Sequence, residues 1–190
     1  MTLGHAFESV LVAARAGEQW AWSEIYRDLV GPVRGYLAGR GSPEPEDEAA
    51  ETFLHVAKGI ASFDGDESAF RSWVFSIAHR RMVDAHRKAG RRPKVADTDL
   101  SDLAESADRA AIPSAEESVL VRDAAVAAAD LLSGLSEDQR QILLLRVVGE
   151  LSVKETAAVV GKSESAVKVA QHRAIAALRR ARATRDSEKS

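Results

Sequence analysis

The stretch AHRRMVDAHRK, residues 78–88, sets Arg80, Arg81, Arg87 and Lys88 around His79, His86 and Asp84. Two imidazoles seven residues apart share one face of a helix, and Asp84 beside them suggests acid–base chemistry. No nucleophile, glycine-rich phosphate loop or recognisable triad carboxylate accompanies them, so the cluster lacks the parts of a catalytic site. Glu51 and His55, four residues apart, have a spacing that holds a metal, but no third ligand is near in sequence. What remains is charge. Permanent cations and imidazole donors at this density suit a phosphate backbone or a solvated face. No enzymatic activity, metal or other cofactor is expected.

Charge is segregated along the chain although the formal net charge is only −3. Between Arg71 and Lys94 eight lysines and arginines stand against Asp84 alone; between Asp97 and Glu117 seven acids stand against Arg109. Between Lys162 and Arg185 seven bases stand against Glu164. Two basic blocks flank an acidic one, and such local patches set the field that a nucleic acid meets. The chain has no cysteine, which excludes disulfides, cysteine-ligated zinc and thiol sensing within it. No apolar run approaches the length of a membrane span, and MTLGHAFESV lacks the form of a signal peptide, so a cytoplasmic location is expected.

The elements that must position these charges are helical throughout, so the expected class is all-α. A first helix around Val10 ends near Gly17. A second carries Trp22, Ile25 and Leu29 and runs past Pro32 to Leu37. After Ser42-Pro43, acids at 44, 46, 47 and 48 mark a helix N-terminus; that helix is expected to bury Phe53/Leu54, Val56/Ala57 and Ile60. FDGDES (63–68) reads as a loop, followed by a long helix from about Ser68 to Ala89. Its front half, with Phe70, Trp73 and Ile77, reads as core and its rear half as surface. Residues 93–113, acidic and without period, read as a flexible linker between two small domains, 1–92 and 114–186. The second begins with a stripe of Leu120, Ala124, Ala127 and Leu131. Ser136 with Gln139 and Ser152 with Glu155 form two capping boxes.

VKETAAVVGKSESAVKVAQHR (153–173) has the form of a helix-turn-helix. Small Ala157 and Ala158 allow a close crossing, Gly161 allows a left-handed turn, and Val167 and Ala170 face inward. The second helix then presents Lys168, Gln171, His172 and Arg173 to a major groove. The bland alternative is a helical hairpin with a solvated basic face.

The tail LSEDQRQILLLRVVGELSVKETAAVVGKSESAVKVAQHRAIAALRR resembles region 4 of bacterial sigma factors. PEDEAAETFLHV (45–56) resembles the acidic A-E-D-x-x-Q-E-x-F helix of region 2, and FRSWVFSIAHRRMVDAHRK (70–88) resembles its F-R-x-W-L-x-x-I-A-x-N-x-x-x-D-x-x-R helix. The two in this order, with a linker between them, are similar to extracytoplasmic-function (ECF) sigma factors.

That resemblance implies a protein that binds core RNA polymerase and directs it to promoter DNA, region 2 reading and melting the −10 element and region 4 reading the −35 element. It implies polymerase contact through Asp47, Glu51 and Phe53. For the −10 element it implies Asp64, Gly65, Ser68, Arg71, Arg80, Arg81, Asp84, Arg87 and Lys88. For the −35 element it implies Lys162, Ser163, Ser165, Lys168, Gln171 and Arg173. It also implies an anti-sigma partner. Ala50, where the family carries Gln, and Arg80, where it often carries Asn, depart from the pattern, as do Pro45 and Glu48. The rival reading is a helix-turn-helix regulator that acts without replacing the sigma subunit; a small helical enzyme finds no support.

Overall fold

A computed structural model of the chain describes residues 3–90 and 131–188. The expected linker, the stripe of Leu120, Ala124 and Ala127, and the side chains of His86, Arg87 and Lys88 lie outside the described residues. Among the described residues the regular elements are helices. These are α1 (Phe7–Arg15), α2 (Gln19–Gly39), α3 (Pro45–Gly59), α4 (Glu67–Gly90), α5 (Glu137–Val147), α6 (Val153–Val160) and α7 (Glu164–Glu188), with short 3-10 turns at Gly4–Ala6 and Ile60–Ser62. No described helix is long and apolar enough to cross a membrane.

Local chemistry places the ends. Pro45 opens α3 where its missing N–H costs nothing, and Glu46, Asp47 and Glu48 sit in the first turn against the positive end of the helix. Both capping boxes form: Ser136 accepts from the Gln139 amide and Ser152 from the Glu155 amide, with each N3 side chain answering the cap residue's own N–H. Pro32 lies inside α2 without ending it, as the run of apolar spacing across it predicts.

Apolar stripes of α1 to α4 converge on one core that contains Ile25, Val33, Tyr36, Leu37, Val56, Phe70, Val74 and Phe75. Trp73 packs there too, stacked on Phe63 at 5.1 Å. The expectation that α3 buries a double row is half right. Phe53, Val56 and Ile60 are buried, whereas Leu54 and Ala57 are exposed, because α3 presents one face to the core and these two lie on its other side.

The rear helices do not stand apart. Leu144 and Leu145 of α5 and Leu151 of the following turn belong to the same core as α1 to α4. The crossing of α5 on α2 is close: a Cβ on Gly39 would lie 2.8 Å from Leu144 Cδ2, so glycine there is what lets the helices meet. Smaller clusters inside the rear helices, Leu135/Leu143/Ala174 and Ile142/Ala157/Val167, hold α5, α6 and α7 together.

Candidate nucleic-acid interface

The turn between α6 and α7 follows from one glycine. Gly161 caps α6 with φ +66°, a left-handed conformation that side-chain-bearing residues adopt with strain. Ser163 then caps α7, its Oγ accepting from the Ala166 amide at 3.2 Å and its carbonyl accepting from the Val167 amide at 3.0 Å. Val167 is wholly buried against Ile142 and Ala157, which turns the opposite face of α7 outward.

That outward face carries Ser165, Lys168, Val169, His172 and Arg173, all exposed. Lys162 is held at 2.7 Å by Asp138 of α5. Gln171 departs from expectation: it is half-buried, and its Oε1 accepts from Arg146 Nε at 3.2 Å. It braces α5 against α7 instead of pointing at a groove. Ser163 likewise has a structural task as a cap. Val169, an exposed apolar residue beside Arg173, was absent from the expected set, since charge and polarity guided the choice.

The front surface is arranged differently. Asp64 and Gly65 are exposed in the loop before α4, and Asp66 Oδ1 caps α4 by accepting from the Ala69 amide at 2.8 Å. Ser68 donates to Glu155 of α6. Arg80 and Asp84 lie on the exposed side of α4, and Arg81 pairs with Glu51 of α3 at 3.5 Å. Arg71 requires correction. It is 7% exposed, its Nε donates to the Gly149 carbonyl at 2.7 Å, and its guanidinium faces Asp28 at 3.7 Å and Glu150 at 3.2 Å. In this arrangement it meets no phosphate; it ties α4 to the turn between α5 and α6. That turn is shaped for it, with Glu150 at φ +55°.

On α3, Asp47, Ala50, Glu51 and Leu54 form one exposed face, the spacing 47, 50, 51, 54 being helical. Phe53, expected to contact a partner, is instead 8% exposed and packs on Tyr26 at 4.9 Å. The exposed apolar residue on this face is Leu54, 54% exposed. His55 turns its Nδ1 to the Glu51 carbonyl at 2.8 Å, a contact within its own helix.

His79 is also corrected. It is no surface donor but a buried residue whose Nδ1 lies 2.9 Å from the Tyr36 hydroxyl. Burial, aided by the nearby cations Arg40 and Arg80, pushes its pKa down to about 4, so it is neutral at pH 7. Burial pushes the Tyr36 hydroxyl up to about 12, so it keeps its proton, and the two neutral groups share one buried hydrogen bond. Beside them Arg40, only 4% exposed, donates from Nη1 to Gln141 Oε1 at 2.7 Å and pairs through Nη2 with Glu137 at 2.5 Å. Gln141 Nε2 in turn donates to Asp138 Oδ1 at 2.9 Å, and Asp138 holds Lys162. A polar chain thus runs from α4, through α2 and α5, to the turn of the helix-turn-helix. Arg40 gave no sequence signal, because nothing in its own neighbourhood announces a partner a hundred residues on.

Comparison with known proteins finds a family match for each part of the chain. Residues 22–92 match the family described as Sigma-70 region 2, and residues 125–178 match Sigma-70, region 4. The ECF RNA polymerase sigma factor SigD of Mycobacterium tuberculosis is 34% identical over 183 residues, spanning 93% of this chain and 84% of that protein. The ECF RNA polymerase sigma factor BldN of Streptomyces coelicolor is 33% identical over 169 residues, spanning 88% of this chain and 62% of that protein. Among solved structures, CnrH in complex with the cytosolic domain of CnrY superposes with a TM-score of 0.66 at 22% identity, covering 94% of this chain and 98% of that one. The sigma factor RpoE from Bartonella quintana, in complex with the anti-sigma factor NepR, gives 0.59 at 19% identity, covering 83% and 94%. At such identities the likeness is one of fold.

Proposed function

The chain belongs to the ECF sigma factors of bacterial RNA polymerase, and from that premise we propose which of its surfaces serve which step of promoter recognition. It binds core RNA polymerase and directs it to promoters. The observation that carries this reading is the pairing, in one chain and in family order, of a region 2 segment with a region 4 segment.

Region 4 reads the −35 element with the exposed face of α7. Lys168 and Arg173 supply charge toward phosphates and base edges, Ser165 a small polar contact, and Val169 an apolar one suited to a thymine methyl. Lys162, Ser163 and Gln171 support that face from its edge. Region 2 holds the −10 element between the loop at Asp64 and Gly65 and the basic rear of α4, with Arg80, Arg81, Arg87 and Lys88 along the strand and Asp84 among them. Opening duplex requires a surface that favours single strands, which backbone charge beside unstacked bases provides. The exposed Asp47, Ala50, Glu51 and Leu54 face is the polymerase contact. Residues 1–92 and 114–186 act as the two reading domains, joined by the acidic segment 93–113. A protein like NepR, the anti-sigma factor in complex with RpoE, holds the chain inactive. No chemistry on a substrate is assigned to it.

Transcription in vitro tests this. Core polymerase with the purified chain should start RNA at a defined promoter, and core alone should not. A requirement for polymerase already carrying another sigma factor would replace this reading with that of a regulator.

A further inference from the structure

We infer that Asp138 determines specificity at the −35 surface: it holds Lys162 back from duplexes whose sequence does not match, and so widens the gap between matched and unmatched DNA. The inference rests on the reading of α7 as the −35 surface given above.

Lys162 follows Gly161 directly, in the turn between α6 and α7, and its Nζ lies 2.7 Å from Asp138 Oδ2. The other carboxylate oxygen is fixed as well: Asp138 Oδ1 accepts from Gln141 Nε2 at 2.9 Å. Gln141 is itself held, being 7% exposed, with its Oε1 accepting from the buried Arg40 at 2.7 Å. Asp138 is therefore a preset acceptor for the lysine. With Ser165, Val169 and Arg173, the pair lines one open groove of about 520 Å³ between α5 and α7. A carboxylate thus stands at the edge of the surface proposed to meet a polyanion.

Local helix chemistry explains only part of this. An acid in the first turn of α5 suits the positive end of the helix, but Glu137 already supplies one there. The helix dipole does not call for a cation 24 residues further on. Nor does the pair do much for stability, since the side chains are 34% exposed for Lys162 and 56% for Asp138, and ion pairs open to water contribute little. What the pair changes is the charge that DNA meets. Screening confines that change to about 8 Å in physiological salt, which keeps it local to the turn.

Unmatched duplex is held almost wholly by backbone charge and settles in whatever register meets most cations. A free Lys162 would add to every such register. Matched duplex is instead fixed by base contacts from α7, with Lys168 and Arg173 toward its phosphates, and Lys162 stands at the edge of that set. A phosphate recruits Lys162 only by displacing Asp138 or by lying beside its charge, and both are unfavourable. The carboxylate therefore penalises unmatched binding more than matched binding, and an unfavourable contact of that kind yields specificity.

Asp138→Asn in the full-length chain tests this, because asparagine keeps an oxygen to accept from Gln141 and removes only the charge that holds Lys162. Binding is titrated against salt on two duplexes. One carries the upstream element of the promoter from which the chain starts RNA with core polymerase; the other carries the same bases shuffled. The variant should bind the shuffled duplex about fivefold more tightly at about 0.1 M salt, with a slope of log K against log salt steeper by about 0.9, one more phosphate neutralised. Its affinity for the matched duplex should stay within about twofold, because base contacts already set the phosphates there. Misfolding would weaken binding to both, the opposite of the expected gain. Adding Lys162→Ala to Asp138→Asn should return the shuffled duplex to its wild-type affinity.

Unchanged affinity for the shuffled duplex would overturn the inference. So would equal gains on both duplexes, or a gain that survives the loss of Lys162, since either marks a general effect of charge. A wild-type chain with no preference for the matched duplex would instead overturn the reading of α7 as the −35 surface.

Discussion

The two surfaces proposed to read DNA differ in how far the fold covers them. On α7 the exposed residues Ser165, Lys168, Val169, His172 and Arg173 face solvent, with a capped N-terminus and a buried rear face fixing their direction. On the region 2 side, Ser68 is engaged by Glu155, Arg71 is buried against Gly149, and Arg81 is paired with Glu51. One surface is assembled and open, the other assembled and partly covered by its neighbour. A basic block in sequence therefore does not equal a basic surface. Whether a cation is available depends on which acids and carbonyls the tertiary fold brings to it, and here region 4 supplies several of them to region 2.

Whether the two regions are energetically separate is open to direct measurement. Every tryptophan of the chain, Trp20, Trp22 and Trp73, lies in the front helices, so intrinsic fluorescence follows the unfolding of those helices. Leu144 lies on α5 yet belongs to the region 2 core. Leu144→Ala should lower the stability reported by those tryptophans by about 3 kcal/mol, the usual loss for a buried leucine, with the midpoint of urea unfolding shifting accordingly. An unmoved midpoint would mean that region 2 gains nothing from region 4.

The sequence made the helices legible because their determinants are local. Gly17 and Gly161 sit at left-handed turns, both capping boxes form, and the apolar stripes of α1 to α4 point where their period says. Within the stripes, neighbours were harder to separate. Phe53 and Leu54 are both large and apolar, and the phenylalanine goes in because it shares a face with Ala49, Val56 and Ile60 and packs on Tyr26. The candidate site was legible on α7, where one short motif fixes its own geometry. It was least legible where a side chain's partner lies far along the chain. Arg71 matched a family motif, and nothing near it foretold the Gly149 carbonyl. His79 stood among arginines, yet Tyr36 and the core claim it.

His79 gives a second handle, in pH. Its folded pKa of about 4 lies below the ordinary value of 6.5, so between these values the unfolded chain binds a proton that the folded chain does not. The stability His79 supports is complete above pH 6.5 and falls as pH drops toward 4, by roughly 2 kcal/mol once partial solvation of the ring is allowed for. Carboxylates titrate in the same window, so the check is a difference: urea midpoints measured from pH 7 to pH 4 for the wild type and for His79→Gln. The variant should show the shallower decline, and parallel curves would mean that His79 takes up its proton without cost in the fold.

The smallest effect tests the open surface. Lys168 lies on the exposed face of α7, so removing it should leave stability unchanged and act on DNA alone. Each phosphate neutralised contributes about 0.9 to the slope of log K against log salt. Lys168→Ala should therefore reduce that slope, measured for the intact chain on a −35 duplex, by about one, while weakening binding on all sequences to a similar degree. An effect confined to one base position would instead mark Lys168 as a base-reading residue, and an unchanged slope would remove it from the interface. The same titration on Arg71→Ala supplies the contrast. A buried arginine held by the Gly149 carbonyl and Glu150 should leave the −35 salt slope where it was, even as its loss loosens α4 from the turn between α5 and α6.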